Sequence, residues 1–185
     1  MNIEAAGASV DKLISAVNSC EPPASDRYQL SRGKEPANNT IILIDRSVAP
    51  VYPEWTMHLL HPELEHSGPS SYALETIALL FFRCQQNGLV ETGTRIYDHL
   101  KSSGSLGDCL SLRDGEEISR KGVDVYREFF GNKPLLLWKS VVQHGCGYLF
   151  VPHLCGLGTS VALHWRWLKS DWDDRHPAGV FPINS

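Results

Sequence analysis

The sequence predicts an α+β fold in which a helical middle segment packs on a C-terminal three-stranded antiparallel β-meander, with a short N-terminal helix. Apolar residues recur at helical spacing between residues 74 and 130, and strand-forming runs broken by glycine follow Pro134. The chain has 185 residues, which is the length of one domain, and its 42% hydrophobic residues are enough for a core. We therefore expect one domain over residues 1–185.

The first 39 residues are predicted to form a helix and a linker, followed by a compact α+β core over residues 40–185. Apolar residues at helical spacing indicate a helix over 9–19. Residues 21–39 are polar and contain Pro22, Pro23, Gly33 and Pro36, which is typical of a loop or mobile linker.

Two short strands are predicted next. Residues 40–44 are β-branched, and residues 55–60 alternate in character. Prolines on both sides confine the second strand to an edge.

Three helices are predicted in the middle of the chain. The first covers Leu74 to Cys84 and is stopped by Gly88, and the second covers Thr92 to Ser102. The third starts at a cap formed by Asp114, with Glu117 three residues later, and ends at Gly131.

Residues 135–142, 148–154 and 160–168 are predicted to be the strands of the meander. On the last strand Trp165 and Trp167 share one face and Arg166 lies on the other, so we expect the tryptophan face to cover the helices. Pro152 cannot donate a ladder hydrogen bond, which indicates a bulge or a different strand order.

Charge and cysteine content indicate a cytoplasmic protein without a membrane partner. The 17 basic and 21 acidic residues give a net charge of −4, which argues against broad capture of nucleic acid. No apolar run approaches the roughly 20 residues of a membrane span, and the first residues do not resemble a secretory signal. The five cysteines form no C-x-x-C pair and are expected to be small buried thiols.

The segment from Tyr72 to Phe181 resembles a pattern in short uncharacterised bacterial open reading frames. The resemblance rests on the Cys109–Asp114 segment, on Tyr126–Phe130, and on the three C-terminal runs that begin at Trp138, Gly147 and Val161. It implies one co-folded unit of helices followed by a meander, and it implies no activity.

His58, His61 and His66 are the candidate metal ligands. Imidazole and carboxylate groups suit Zn, and three such ligands would generate a nucleophilic water, with Glu63 or Glu65 as base. Pro62 prevents one helix from presenting all three histidines, so a solvated loop is the competing interpretation. No other cofactor is expected.

Two further groups of polar residues are weaker candidates for metal sites. His144 with Cys146, and His153 with Cys155, repeat one spacing, but a strand of about 3.3 Å per residue separates the pairs. Asp171, Asp173 and Asp174 lack the spacing of a calcium loop, which favours a solvated surface.

Trp165, Arg166, Trp167 and Trp172 are the candidate binding residues. They fit core packing, or an exposed face that binds a protein partner, since Trp and Arg dominate interface hot spots. Because catalytic motifs are absent, we expect a non-enzymatic protein-interaction module, for example a mobile-element or phage-type inhibitor of a host machine. The alternatives are a metal-dependent hydrolase using the three histidines and a nucleic-acid-binding module.

Overall fold

The computed structural model describes residues 27–28, 40–82 and 85–182. The predicted helix over residues 9–19 and nearly all of the predicted linker lie outside the described residues. Four α-helices are described: α1 (Pro62–Glu65), α2 (Gly93–Ser102), α3 (Leu112–Arg120) and α4 (Val123–Phe130).

Twelve short strands are described along the same ranges. They are β1 (Arg27–Tyr28), β2 (Ile41–Leu43), β3 (Thr56–Leu59), β4 (Ser71–Ala73), β5 (Ala78–Leu80), β6 (Glu91–Thr92), β7 (Leu135–Leu136), β8 (Val142–His144), β9 (Leu149–Leu157), β10 (Ser160–Trp167), β11 (Asp171–Trp172) and β12 (Ala178–Val180).

Eight strands form one mixed sheet in the order β1-β5-β12-β7-β9-β8-β3, and β10 pairs with β9 beside this path. The pair between β12 and β7 is parallel, whereas the other neighbours are antiparallel. Two small sheets, β6 with β11 and β2 with β4, lie outside it.

The centre of the large sheet, formed by β5, β12 and β7, is buried on both faces. Along β5, Ala78 and Leu80 belong to one core cluster and Leu79 to the other. Because successive side chains of a strand point to opposite faces, the two clusters lie on the two sides of the sheet. Helix α2 contributes to the first cluster, and α3 and α4 contribute to the second.

The predicted fold, helices on a three-stranded C-terminal meander, is wrong. Strand β9 does pair with β10, but on its other edge it pairs with β8 and with β7, and the sheet continues through β12 and β5. The predicted strand over 135–142 is instead β7 followed by a 3₁₀ turn, Trp138–Ser140, and then β8. Strands from the middle of the chain therefore complete a sheet that was expected to be C-terminal.

The predicted helix over residues 74–84 is also wrong. The chain forms a 3₁₀ turn at Leu74–Thr76 and then strand β5. The apolar run that includes Ile77 and Leu80 is buried because the sheet has helices on both faces, and such a strand is apolar without alternation. The spacing of apolar residues in this run therefore resembles the spacing in a buried helix.

The predicted third helix is divided into α3 and α4 at Gly122, whose φ is +88°. A residue with a side chain rarely adopts this conformation, so the helix ends here. The cap is Ser111, whose side chain accepts from the Asp114 amide, while the Asp114 carboxylate accepts from the Ser111 amide. Asp114 is thus the third helical residue of a capping box.

Several local predictions are confirmed. Helix α2 starts after its cap Thr92 and buries Ile96, Tyr97 and Leu100. Strands β2 and β10 lie within the predicted ranges, and β3 is an edge strand of the large sheet. Each helix in the described ranges is too short or too polar to cross a membrane.

Pro152 lies where β9 changes partner. Its carbonyl accepts the Leu137 amide at 3.0 Å, and the N–H and C=O of a strand residue point to the same edge. The missing N–H therefore faces the 3₁₀ turn between β7 and β8. A different strand order, one of the two expected explanations, accounts for this proline.

Candidate interaction surface

Aromatic and sulfur-containing side chains gather at one end of the large sheet. The ring of Trp55 lies 5.4 Å from that of Phe150, and Tyr148 lies 5.2 Å from Trp167 in an edge-on contact. Phe150 and Trp167 are also cross-strand partners of β9 and β10. Met57 extends over Gly145, where an added Cβ would lie 3.5 Å from its Cγ. We call these five residues, Trp55, Met57, Tyr148, Phe150 and Trp167, the aromatic tip.

The aromatic tip is substantially open to solvent. The exposed fractions are 62% for Met57, 48% for Tyr148 and 38% for Trp167. Trp55 and Phe150 are partly buried beside them. Single exposed apolar residues are ordinary, but neighbouring exposed aromatic and methionine side chains are typical of interaction sites.

A tight turn shapes the centre of the tip. The Gly147 amide donates to the His144 carbonyl at 2.8 Å, and the His144 amide donates to the Tyr148 carbonyl at 2.8 Å. Gly147 has a φ of +86°, which a glycine adopts without strain. The turn places Cys146 in solvent, and its thiol lies 2.8 Å from Nδ1 of His144.

A pocket of about 320 Å³ opens beside this turn. Cys146 and Tyr148 line it from the turn, Trp167 and Lys169 from the end of β10, and Thr94 from the start of α2. The ammonium of Lys169 lies 6.0 Å from the centre of the Tyr148 ring. The pocket thus combines an aromatic wall, one positive charge and one thiol.

Buried polar groups anchor the segment that carries Trp55 and Met57. The guanidinium of Arg46 donates to both oxygens of Asp114, at 2.7 and 3.2 Å, and Tyr72 donates to the same carboxylate at 3.2 Å. Asp114 is fully buried. The segment before β3 is therefore tied to the first turn of α3.

A second polar cluster lies at α1. Glu65 is buried, and its Oε1 accepts hydrogen bonds from the hydroxyls of Tyr52 and Ser140. Ser140 in turn accepts the Leu112 amide at 2.6 Å. Burial raises the pKa of Glu65 above its ordinary value, although the two hydroxyls oppose the shift. Oε2 has no hydrogen-bond partner among the described residues.

Lys139 is fully buried next to these clusters. Its ammonium lies 3.5 Å from the Ser67 carbonyl and 5.3 Å from the centre of the Phe181 ring. Burial lowers the pKa of this lysine, while the nearby charge of Asp114 opposes the shift. The ammonium of Lys139 thus joins the loop after α1 to the C-terminal end of the described chain.

The four predicted binding residues are divided between two faces of the sheet. Trp165 lies 5.3 Å from Trp55, on the side of the aromatic tip that also includes Trp167. Arg166 lies on the opposite face, with its guanidinium 5.2 Å from the ring of Trp172. Trp172 is fully buried, so it forms part of the core and not of a surface. The expected separation of the tryptophan face from Arg166 is confirmed.

The three predicted metal ligands point to different partners. His61 contacts the Tyr97 hydroxyl at 2.6 Å, and His66 donates from Nδ1 to the Arg46 carbonyl at 2.7 Å. His58 is exposed on β3. Among the described residues, no group of three His, Cys, Asp or Glu side chains could hold a metal ion. Of the two candidate bases, Glu63 is exposed and Glu65 is buried in the cluster described above.

The remaining candidates of the sequence lie apart. His144 and Cys146 are in contact at the turn, whereas Cys155 lies near the other end of β9, next to the Ala162 carbonyl. Of the three acidic residues, Asp173 bonds Arg175 and His176, and Asp171 and Asp174 are exposed.

Sequence reasoning missed the tip residues outside β10. Trp55 and Met57 were interpreted as parts of an edge strand, and Tyr148 and Phe150 as parts of a meander. Alternation along the predicted strand over 148–154 places Tyr148 and Phe150 on one face of the sheet. This alternation is the sequence signal that these two side chains share a surface. The contact of Trp55 with Phe150 depends on the pairing of β3 with β8, which brings the two residues together.

No protein-family model, no curated protein and no solved structure matches the chain.

Proposed function

We propose that the protein is a non-enzymatic protein-interaction module that binds a partner protein through the aromatic tip. The observation that carries the proposal is the exposed pair of Tyr148 and Trp167, with Met57 exposed on the neighbouring strand pair. Tyr, Trp and Met are enriched at protein interfaces, and Trp and Tyr are frequent hot spots.

The charge at the tip indicates the chemistry of the partner surface. The positive charge is that of Lys169, whose ammonium lies 6.0 Å from the centre of the Tyr148 ring. An acidic side chain opposite Lys169 would complement this rim, while apolar side chains would cover the rings. We therefore propose a partner surface that is apolar at its centre and acidic at its edge.

The proposal includes inhibition of a host machine by a mobile-element or phage-type protein, because such an inhibitor acts by covering a surface and needs no catalytic residues. We also propose a cytoplasmic location, which the free thiols of Cys109, Cys146 and Cys155 support. We do not propose a metal-dependent hydrolase, because His58, His61 and His66 have separate surroundings.

Site-specific photocrosslinking in the native host tests the proposal. A photoreactive phenylalanine replaces Met57 in one variant and Leu157 in another. Leu157 is a matched control, since it is exposed and lies at the far end of β9, roughly 26 Å from the tip at about 3.3 Å per residue. We expect one defined protein adduct from position 57 and none from position 157.

Binding of the protein found in this way is then measured by calorimetry. We expect Trp167→Ala to weaken binding about 30-fold or more, as hot-spot residues do, and Leu157→Ala to leave it unchanged. Equal adducts from both positions, adducts with nucleic acid alone, or unchanged affinity of Trp167→Ala would each overturn the proposal.

A further inference from the structure

We propose that Cys146 and His144 form a reactive thiol site that exchanges with small disulfides bearing carboxylates, and that the pocket beside the turn receives them. Three features support the site: a thiol in direct contact with an imidazole nitrogen, access from solvent, and a pocket that Cys146 helps to line. The inference is independent of the proposed protein binding.

Nδ1 is the unprotonated ring nitrogen of His144, because the backbone amide of Cys146 donates to it at 3.0 Å. The thiol of Cys146 shares the single lone pair of this nitrogen with the amide, so transfer of the thiol proton to Nδ1 breaks the amide hydrogen bond. The thiol sulfur lies 2.8 Å from the same nitrogen. The imidazole is held in this position because its ring packs 5.5 Å from Trp55 and 6.2 Å from Phe150.

Cys146 is exposed in the turn, between two glycines. Nothing lies within 4 Å of an added Cβ at Gly147, and at Gly145 only Met57 does. The other described cysteines differ in this respect, because Cys109 is fully buried and Cys155 is half-buried next to the Ala162 carbonyl. Reaction by exchange requires an accessible thiolate, which selects Cys146 among these three.

The pocket favours an anionic disulfide. Its volume of about 320 Å³ is within the range of small-molecule sites. Lys169 supplies the positive charge, and Tyr148 and Trp167 supply an apolar wall. A disulfide with carboxylate groups therefore meets an opposite charge on entry.

The exchange balances without any other oxidant. His144 takes the proton of Cys146, and the thiolate attacks one sulfur of the bound disulfide. The disulfide bond breaks, a bond forms between Cys146 and one half, and the other half leaves as a thiolate that receives the proton from His144. Cys146 is oxidised and the leaving half is reduced.

Intact-mass and peptide mass spectrometry with oxidised glutathione as the probe test the inference at pH 7. We expect glutathione to be added at Cys146 and at neither Cys109 nor Cys155, and the adduct at position 146 to be absent in Cys146→Ser. His144→Phe keeps an aromatic ring against Trp55 but removes the nitrogen. Because this variant has no base to take the thiol proton, we expect it to react about tenfold more slowly.

Reversing the charge of Lys169 tests the contribution of the pocket separately from that of the thiol. We expect Lys169→Glu to slow reaction with oxidised glutathione by up to about fivefold and to accelerate reaction with cystamine, a cationic disulfide. Cys155→Ser is the control and should react like the wild type. Modification elsewhere in preference to Cys146, equal rates for wild type and His144→Phe, or no effect of Lys169→Glu would overturn the inference.

Discussion

The guanidinium of Arg46 donates two hydrogen bonds, of 2.7 and 3.2 Å, to the carboxylate of Asp114. The two residues are 68 positions apart in the chain. Asp114 is inaccessible to solvent, and its oxygens also accept from Tyr72 and Ser111. One carboxylate thus completes the capping box of α3 and fixes the segment that leads to Trp55. A buried charge of this kind is stable only while its partners are present.

Replacing Asp114 with alanine is expected to lower the free energy of unfolding by about 3–5 kcal/mol. The change removes the capping box and leaves the charge of Arg46 without its partner, and breaking a buried pair in this way has costs of that size. Urea denaturation of the purified chain measures the effect.

Asp98→Ala is the matched control for this prediction, because Asp98 is exposed on α2 and its loss should change stability by no more than about 0.5 kcal/mol. The double variant Arg46→Ala with Asp114→Ala should lose less than the sum of the single losses. Additive losses would show that the two residues do not stabilise each other.

Glu65 is expected to make stability fall as pH rises above its ordinary titration range. Its pKa is raised in the folded chain, so between the unfolded and folded pKa values the native state binds more protons than the unfolded state. The stabilising contribution is therefore complete at pH values below about 4.5, the unfolded pKa, and decreases above it.

Glu65→Gln removes this titration, so the free energy of unfolding of the variant relative to wild type should increase from pH 4 to pH 8. Urea midpoints at each pH measure the difference. Glu63→Gln, on the same helix with a side chain 65% exposed, is the matched control for the substitution. A constant difference between Glu65→Gln and wild type would contradict the assigned shift.

Alanine substitutions at three tryptophans should produce a graded loss of stability. Trp172 is completely buried and should lose about 3–5 kcal/mol. Trp167, which is 38% exposed, should lose less than about 2 kcal/mol, with partly buried Trp165 between them. Thermal and urea denaturation rank the three, and a loss at Trp167 equal to that at Trp172 would show that the tip is part of the core.

Gly115→Ala should destabilise the chain by about 1–3 kcal/mol, although alanine is the better helix former. A Cβ at this position in α3 would overlap a methyl group of Leu137, which is fully buried. Gly107→Ala is the control, because nothing lies within 4 Å of the added atom. The loss should be smaller when Leu137→Val is added, and equal stability of Gly115→Ala and wild type would refute the packing explanation.

Local signals in the sequence predicted local structure correctly. Thr92 before an apolar stripe predicts α2, and the β-branched residues around Ile42 predict β2. These features depend on neighbours within one or two turns of chain, so the information is complete in the segment itself.

Features that depend on distant segments were predicted incorrectly. Ile77 to Leu80 has the same apolar character in a buried helix as in a strand covered on both faces, and only the helices packed on it decide between them. The aromatic tip could not be predicted from the sequence for the same reason. Trp55 meets Phe150 and Trp165 only because β3 reaches the sheet through β8, which no local pattern of Trp55 encodes.

The insertion of β12 between β5 and β7 sets an order of events during synthesis. Ala178 pairs with Leu80 on one side and with Leu136 on the other, so the middle of the sheet stays open until this segment leaves the ribosome. The strand edges of β5 and β7 are exposed to chaperones and to other nascent chains during that interval. The sheet can therefore close only after β12 has been synthesised, and the yield of folded protein should depend on what contacts those edges first.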